Sequence, residues 1–185
     1  MEIYFSASSD VDDLTKEYYR RVIELITDLG YQVDQTIFSE TTDKIIGEDL
    51  TYEDIYNQVF EKIDRSDIFI ADISYPSGGV GYQIYHAYYQ KKPVIIIYTE
   101  NKKTNPSVVI RGIDSKKVQT FHYNSFIELK KVLPGLIENA IKKIKVRFNL
   151  VLTNNELTFL NKQARLQHIS TTKMLRKIIS EYRQK

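Results

Sequence analysis

The chain has 185 residues, 42% of them hydrophobic, and no cysteine. That is enough apolar material for a packed core, and it excludes disulfides, thiol catalysis and cysteine-based zinc sites. The formal net charge of +2 hides an asymmetry: residues 142–185 hold 11 Lys/Arg and two acids, Glu156 and Glu181, a balance of +9, while residues 1–141 hold 15 bases and 22 acids, a balance of −7.

His86, His122 and His168 are scattered without metal-ligand spacing, so neither a metal nor a cofactor is expected. The start, Met-Glu-Ile-Tyr-Phe, lacks the basic flank and long apolar run of a signal peptide. No stretch approaches the roughly 18 apolar residues of a membrane span. These features predict a soluble, cytoplasmic protein with no membrane partner.

In chain order, Glu2–Ser6 reads as a short buried strand and Asp12–Leu29 as an amphipathic helix stopped by Gly30. Tyr31–Asp34 reads as a second strand. Residues 35–50 show no periodicity and read as a loop. Thr51 is a candidate cap for a helix reaching Arg65. Asp67–Ile73 is a third strand, and a Pro-Ser-Gly-Gly turn leads into a helix near Val80–Gln90. Pro93–Tyr98 is a fourth strand and Val118–His122 a weaker fifth. Ser125 starts a helix to about Lys143, with a kink or restart expected at Pro134.

Alternating strands and helices at this spacing predict an α/β fold: a Rossmann-like, parallel, five-stranded sheet with helices on both faces. Ligands of such sheets bind beyond the carboxyl ends of the strands. Three segments converge there: Ser6–Ser9, Ser74–Gly81 and Thr99–Ser107. The turn Pro76-Ser77-Gly78-Gly79-Val80-Gly81 precedes a helix, so its amides are candidates for holding an anion.

Five strings occur in order: Ile3-Tyr4-Phe5-Ser6, Ser66–Ser74, Pro76–Tyr82, Lys92-Pro93-Val94 and Ser107–Gly112. Together they resemble the nucleoside 2-deoxyribosyltransferase superfamily, and within it the 2′-deoxynucleoside 5′-monophosphate N-glycosidases, over residues 1–141. That family attacks the anomeric carbon with a glutamate, as retaining glycosidases do. The resemblance places the glutamate on Gln83, a neutral amide that is a poor nucleophile but still hydrogen-bonds. It places a second acid on Val59, and it puts Ser8-Ser9-Asp10-Val11-Asp12 where the family carries arginines. Asp54 and Asp72 are candidate substitute carboxylates. The resemblance implies a nucleoside- or nucleotide-binding frame of Tyr4, Ser8, Ser77, Gly79, Gly81, Gln83 and Ser107, the last reaching a neighbouring subunit's site. A catalytically degenerate domain, a pseudoenzyme, is expected.

From residue 145 the pattern changes. Lys145–Thr153 alternates, with Phe148, Leu150 and Leu152 on one face and Arg147, Asn149 and Val151 on the other. Thr153 or Asn154 caps a first helix. Ser170 or Thr171 caps a second, with Met174, Leu175, Ile178, Ile179 and Tyr182 at helical spacing. So small a module cannot bury this apolar surface alone, and an unpaired strand needs a partner, so a homodimer or higher even oligomer is expected. Residues 145–185 resemble the ribbon-helix-helix fold of Arc- and MetJ-type repressors. That resemblance implies double-stranded DNA as partner, read by Arg147, Asn149 and Val151 in the major groove, with Ser170, Thr171, Thr172 and Lys173 on a backbone phosphate.

The leading expectation is therefore a DNA-binding transcriptional repressor or autoregulator whose N-terminal domain senses a nucleoside or nucleotide. One alternative is an active nucleoside or nucleotide N-glycosidase or deoxyribosyltransferase with an oligomerising tail. Another is an antitoxin-like autoregulator with a protein partner.

Overall fold

The computed structural model describes residues 1–35, 51–100, 106–113, 116–144 and 150–183. The chain divides into two compact units, Met1–Lys145 and Val146–Lys185.

In the first unit, β1 (Glu2–Ser6), β2 (Gln32–Asp34), β3 (Ile68–Asp72), β4 (Val94–Tyr98) and β5 (Val118–His122) form one sheet in the order β2-β1-β3-β4-β5. Every neighbouring pair is parallel. The helices are α1 (Asp13–Asp28), α2 (Tyr52–Arg65), α3 (Gly78–Tyr89), α4 (Val108–Arg111) and α5 (Phe126–Ile141). The expected α/β class and parallel five-stranded sheet are present. The part of the expected 35–50 loop that is residues 36–50 lies outside the described residues.

Strand side chains alternate between faces, and the core follows that parity. Ile3, Phe5, Ile68, Ile70, Ile95 and Ile97 pack with Tyr19, Val22, Leu129 and Leu133, beneath α1 and α5. Tyr4, Phe69, Ala71, Val94 and Ile96 pack with Val59, Ile63, Val80 and Ile84, beneath α2 and α3. Both faces of every central strand are thus dry, which is why β3 and β4 read as unbroken apolar runs rather than as alternation.

The chain leaves β1 toward β2 on one side and returns to β3 on the other. The carboxyl ends of β1 and β3, where Ser6 pairs with Ala71, are therefore the switch point at which such sheets open a crevice.

One helix differs from expectation. α5 runs without interruption through Pro134. Proline there removes the hydrogen bond to the Lys130 carbonyl. Lys130 is exposed, so that carbonyl can be solvated, while Leu129, Leu133 and Ile137 anchor both halves of the helix in the core.

In the second unit, α6 (Asn154–Leu166) and α7 (Thr171–Arg183) close on Leu160, Ala164 and Met174. Thr153 and Glu156 form a reciprocal capping box on α6. His168 takes φ 52°, the left-handed conformation that more often belongs to glycine, and this turns the chain between the helices.

Candidate active site at the sheet switch point

β1 ends at Ser6, which is fully buried, and its hydroxyl donates to Gln83 Oε1 at 2.7 Å. Gln83 lies in the second turn of α3. This bond ties the end of the first strand to the helix that follows the Gly-rich segment, directly over the switch point. Gln83 thus lies over the switch point, with a hydroxyl as its partner.

The start of α3 is built for close approach. Ser77 is its N-cap, in extended backbone, and its hydroxyl accepts from Val80 N at 3.3 Å. Gly81 N bonds Ser77 O. A Cβ at Gly78 would meet nothing within 4 Å, and one at Gly79 would meet Ser77 Oγ at 3.8 Å. The glycines are thus not required by the backbone; they leave the first turn bare, where helical geometry directs amides without helical partners outward. A Cβ at Gly81 would touch Ile110 Cδ1 at 3.7 Å, so α4 packs against this turn. Ser107 caps α4, accepting from Ile110 N at 3.3 Å. Ser8 is buried immediately beyond β1.

Tyr4, a position of the implied binding frame, and Val59, where the resemblance places the second acid, are core residues. Tyr4 has no exposed surface and stacks on Phe69 at 5.7 Å between centroids. Val59 packs with the core beneath α2.

Sequence reasoning passed over Arg111. Its guanidinium donates to Glu100 at 2.9 Å and lies 5.3 Å from the centre of the Tyr98 ring. It directly follows Ile110, the residue against Gly81, in the same short helix. Its signal in the sequence was the Ile110-Arg111-Gly112 string; what was missing was α4 itself, four residues long and too short for any periodicity.

Neither candidate substitute carboxylate reaches Gln83. Asp54 is exposed and forms the capping box of α2 with Thr51, which holds its carboxyl below the usual range. Asp72 is wholly buried, but on the opposite face of the sheet: it follows Ile68 and Ile70 in parity and faces α1 and α5. Its carboxylate accepts from Ser74 N and from the Tyr123 hydroxyl, each at 2.8 Å. Burial pushes its pKa up, opposed by hydrogen bonds from the Ser74 hydroxyl and amide and from Tyr123. Beside it opens a cavity of about 410 Å³, lined on that face by Thr15, Tyr18, Tyr75, Tyr123 and Phe126 among others. Among the described residues no group of three or more His, Asp or Glu is placed to hold a metal ion.

Of the proposed DNA contacts, Arg147 and Asn149 lie outside the described residues. Val151 is 95% exposed, and residues 150–152 are in no strand. Ser170 Oγ accepts from Lys173 N at 3.3 Å, as a cap, and Thr171 donates to Asn161 at 2.7 Å. Thr172 and Lys173 are exposed.

No family model matches the chain. A Thermofilum pendens protein named as a 2′-deoxynucleoside 5′-phosphate N-hydrolase is 24% identical over 75% of this chain and 99% of its own length. A 5-hydroxymethyl-dUMP N-hydrolase of Tetraodon nigroviridis is 28% identical over the same shares. Among solved structures, a Clostridium botulinum CMP N-glycosidase superposes with a TM-score of 0.51 at 20% identity, over 72% of this chain and 99% of that one. A 2-deoxyribosyltransferase of Bacillus psychrosaccharolyticus gives 0.50 at 14%, over 70% and 90%. These similarities overturn the expectation of a DNA-binding regulator, because the relatives are named as nucleotide-processing enzymes and nothing in the described residues supports DNA binding. The expected pseudoenzyme has no support either. Among the described residues no helix is long and apolar enough to cross a membrane. The N-terminal unit carries the nucleoside 2-deoxyribosyltransferase fold and is similar in sequence to the deoxynucleoside 5′-phosphate N-hydrolases of that superfamily.

Proposed function

We propose that the protein is an enzyme that cleaves or transfers the N-glycosidic bond of a nucleoside or nucleotide at the β1–β3 switch point, with the C-terminal unit serving to oligomerise it. The observation that carries this reading is the Ser6–Gln83 hydrogen bond. It fixes a side-chain amide in the crevice beside the bare first turn of α3.

An amide does not form a stable glycosyl bond as a carboxylate does, so the covalent route is closed to Gln83. Among the described residues no carboxylate is bonded to Ser6 or Gln83. The route left is dissociative: the base departs, an oxocarbenium-like sugar develops, and water adds to it. Gln83, held by Ser6, orients a sugar hydroxyl with its amide hydrogens. The amides at the start of α3 and the Arg111 guanidinium face an anionic substituent, which favours a phosphorylated substrate.

The test is incubation of the full chain with a panel of deoxynucleosides and their 5′-monophosphates, following free base by chromatography. Base release that falls at least about tenfold in Ser6→Ala, with an unchanged melting midpoint, supports the site, because a lost orienting bond is worth roughly that much. Release that Ser6→Ala leaves untouched places the chemistry elsewhere.

The oligomeric role rests on the small core of the second unit. It buries Leu160, Ala164 and Met174 while Leu157, Phe159, Ile179 and Tyr182 stay exposed. Forty residues with so little buried surface are stable chiefly through a partner. Sedimentation of Ile179→Glu should show a smaller species than the wild-type chain; an identical mass removes this role.

A further inference from the structure

The cavity on the α1–α5 face is not the crevice of the proposed reaction. The strand parity that sends Ser6 toward Gln83 sends Asp72 through the other side of the sheet, and none of Ser6, Ser8, Ser77 or Gln83 lines the cavity.

Its chemistry is specific. At its base lies Asp72, the buried acid of the described core, bonded to the amide and the hydroxyl of Ser74 and to the Tyr123 phenol. No described Lys or Arg forms an ion pair with it. A buried carboxylate without a cation is unfavourable, and neutral donors compensate it only in part. The walls are aromatic. Tyr18 and Tyr123 stack with their centroids 6.0 Å apart, Phe126 meets Tyr18 edge-on, and Tyr75 is held over Thr15 by a 3.2 Å hydrogen bond between their hydroxyls. Asp12 lines the mouth as the N-cap of α1. The nearby cation, Arg21, is exposed and lies over the Phe126 ring at 4.1 Å. The lining thus holds two acids, a set of ring faces and no base. A carboxylate beneath aromatic walls is the arrangement that takes an organic cation, by charge and by attraction to ring faces together.

We propose that this cavity is a binding site for a small organic ammonium ion, seated over Asp72 beside the rings of Tyr18, Tyr75 and Tyr123. The volume of about 410 Å³ admits a molecule of several heavy atoms and lies in the range of small-ligand sites. The site is independent of the proposed glycosidase reaction.

The test is calorimetric titration of the full chain with choline, beside its neutral isostere 3,3-dimethyl-1-butanol, at constant ionic strength. Choline should bind at least about tenfold more tightly than the isostere, since a desolvated cation over a ring contributes about that much. Asp72→Asn should remove the preference. Because that change is in the core, Tyr75→Leu on the cavity wall is the second variant; it should weaken choline severalfold with no change in melting midpoint. Equal binding of choline and the isostere, absence of choline binding, or indifference to Tyr75→Leu overturns the proposal. Each of these results leaves base release at Gln83 as it was, so the two readings fail separately.

Discussion

The two faces of the sheet end a few residues apart and have opposite characters. On the α2–α3 face the strand tip carries a hydroxyl and an amide, Ser6 and Gln83, beside a bare helix turn. On the α1–α5 face it carries a buried acid among phenols. The difference is one of strand parity. One residue along a strand moves a side chain through the sheet, so two neighbouring tips present a neutral, anion-tolerant crevice and an acidic, cation-tolerant cavity.

The comparison can be broken most severely from within. Phe69 supports Tyr4 beneath the α2–α3 face, and both are fully buried. Phe69→Ala should destabilise the N-terminal unit by about 3–5 kcal/mol, read from urea unfolding. A loss below about 1 kcal/mol means the crevice does not rest on this stack.

A smaller change addresses the other face. Tyr123→Phe leaves the buried Asp72 with one donor fewer, and should cost about 1–3 kcal/mol while leaving base release at the crevice unchanged. A parallel fall in activity would show that the two sites are coupled.

Arg111→Ala should raise KM about tenfold for 5′-monophosphates and little for nucleosides, because a guanidinium pairs with a phosphate and not with a base. An equal effect on both would make Arg111 a structural partner of Glu100 and Tyr98 alone.

The mildest effect is in pH. Burial raises the Asp72 carboxyl, against the hydrogen bonds from Ser74 and Tyr123 that lower it, so folding penalises its charged form relative to the unfolded chain. Its contribution is fully present below the ordinary carboxylate pKa and is lost as pH rises through its raised value. Asp54, Glu128 and Glu156 are lowered by hydrogen bonds to Thr51, Asn124 and Thr153, and their contributions are lost as pH falls. Asp72→Asn should therefore flatten the decline of melting midpoint above the carboxylate range and leave the acid limb as it is. An altered acid limb with an unchanged upper limb contradicts the assignment.

Much of the sheet was legible because a dry strand needs little context. Ile68–Ala71 and Val94–Ile97 are apolar runs too short for helices, bounded by turn residues. The parity that separates Ser6 from Asp72 was also present in the sequence. What it could not supply was which helices cover which face, since Tyr18, Tyr75 and Tyr123 are 105 residues apart at the extremes and meet only through the topology. Gln83 was found through resemblance, not spacing. The role expected of the C-terminal module rested in part on residues 147 and 149, outside the described residues, and a basic helix pair alone does not distinguish a nucleic-acid reader from an oligomerising tail.

The most direct measurement is free-base release by Gln83→Glu beside the wild-type chain, across deoxynucleosides and their monophosphates. A glutamate there restores a carboxylate in the crevice, within reach of the same hydroxyl of Ser6. The account predicts slow release by the wild-type chain and release at least about tenfold faster by Gln83→Glu, as a nucleophile opens the covalent route. Failure of both proteins to release base from any substrate in the panel, with both correctly folded, would contradict a glycosidic site at the β1–β3 switch point.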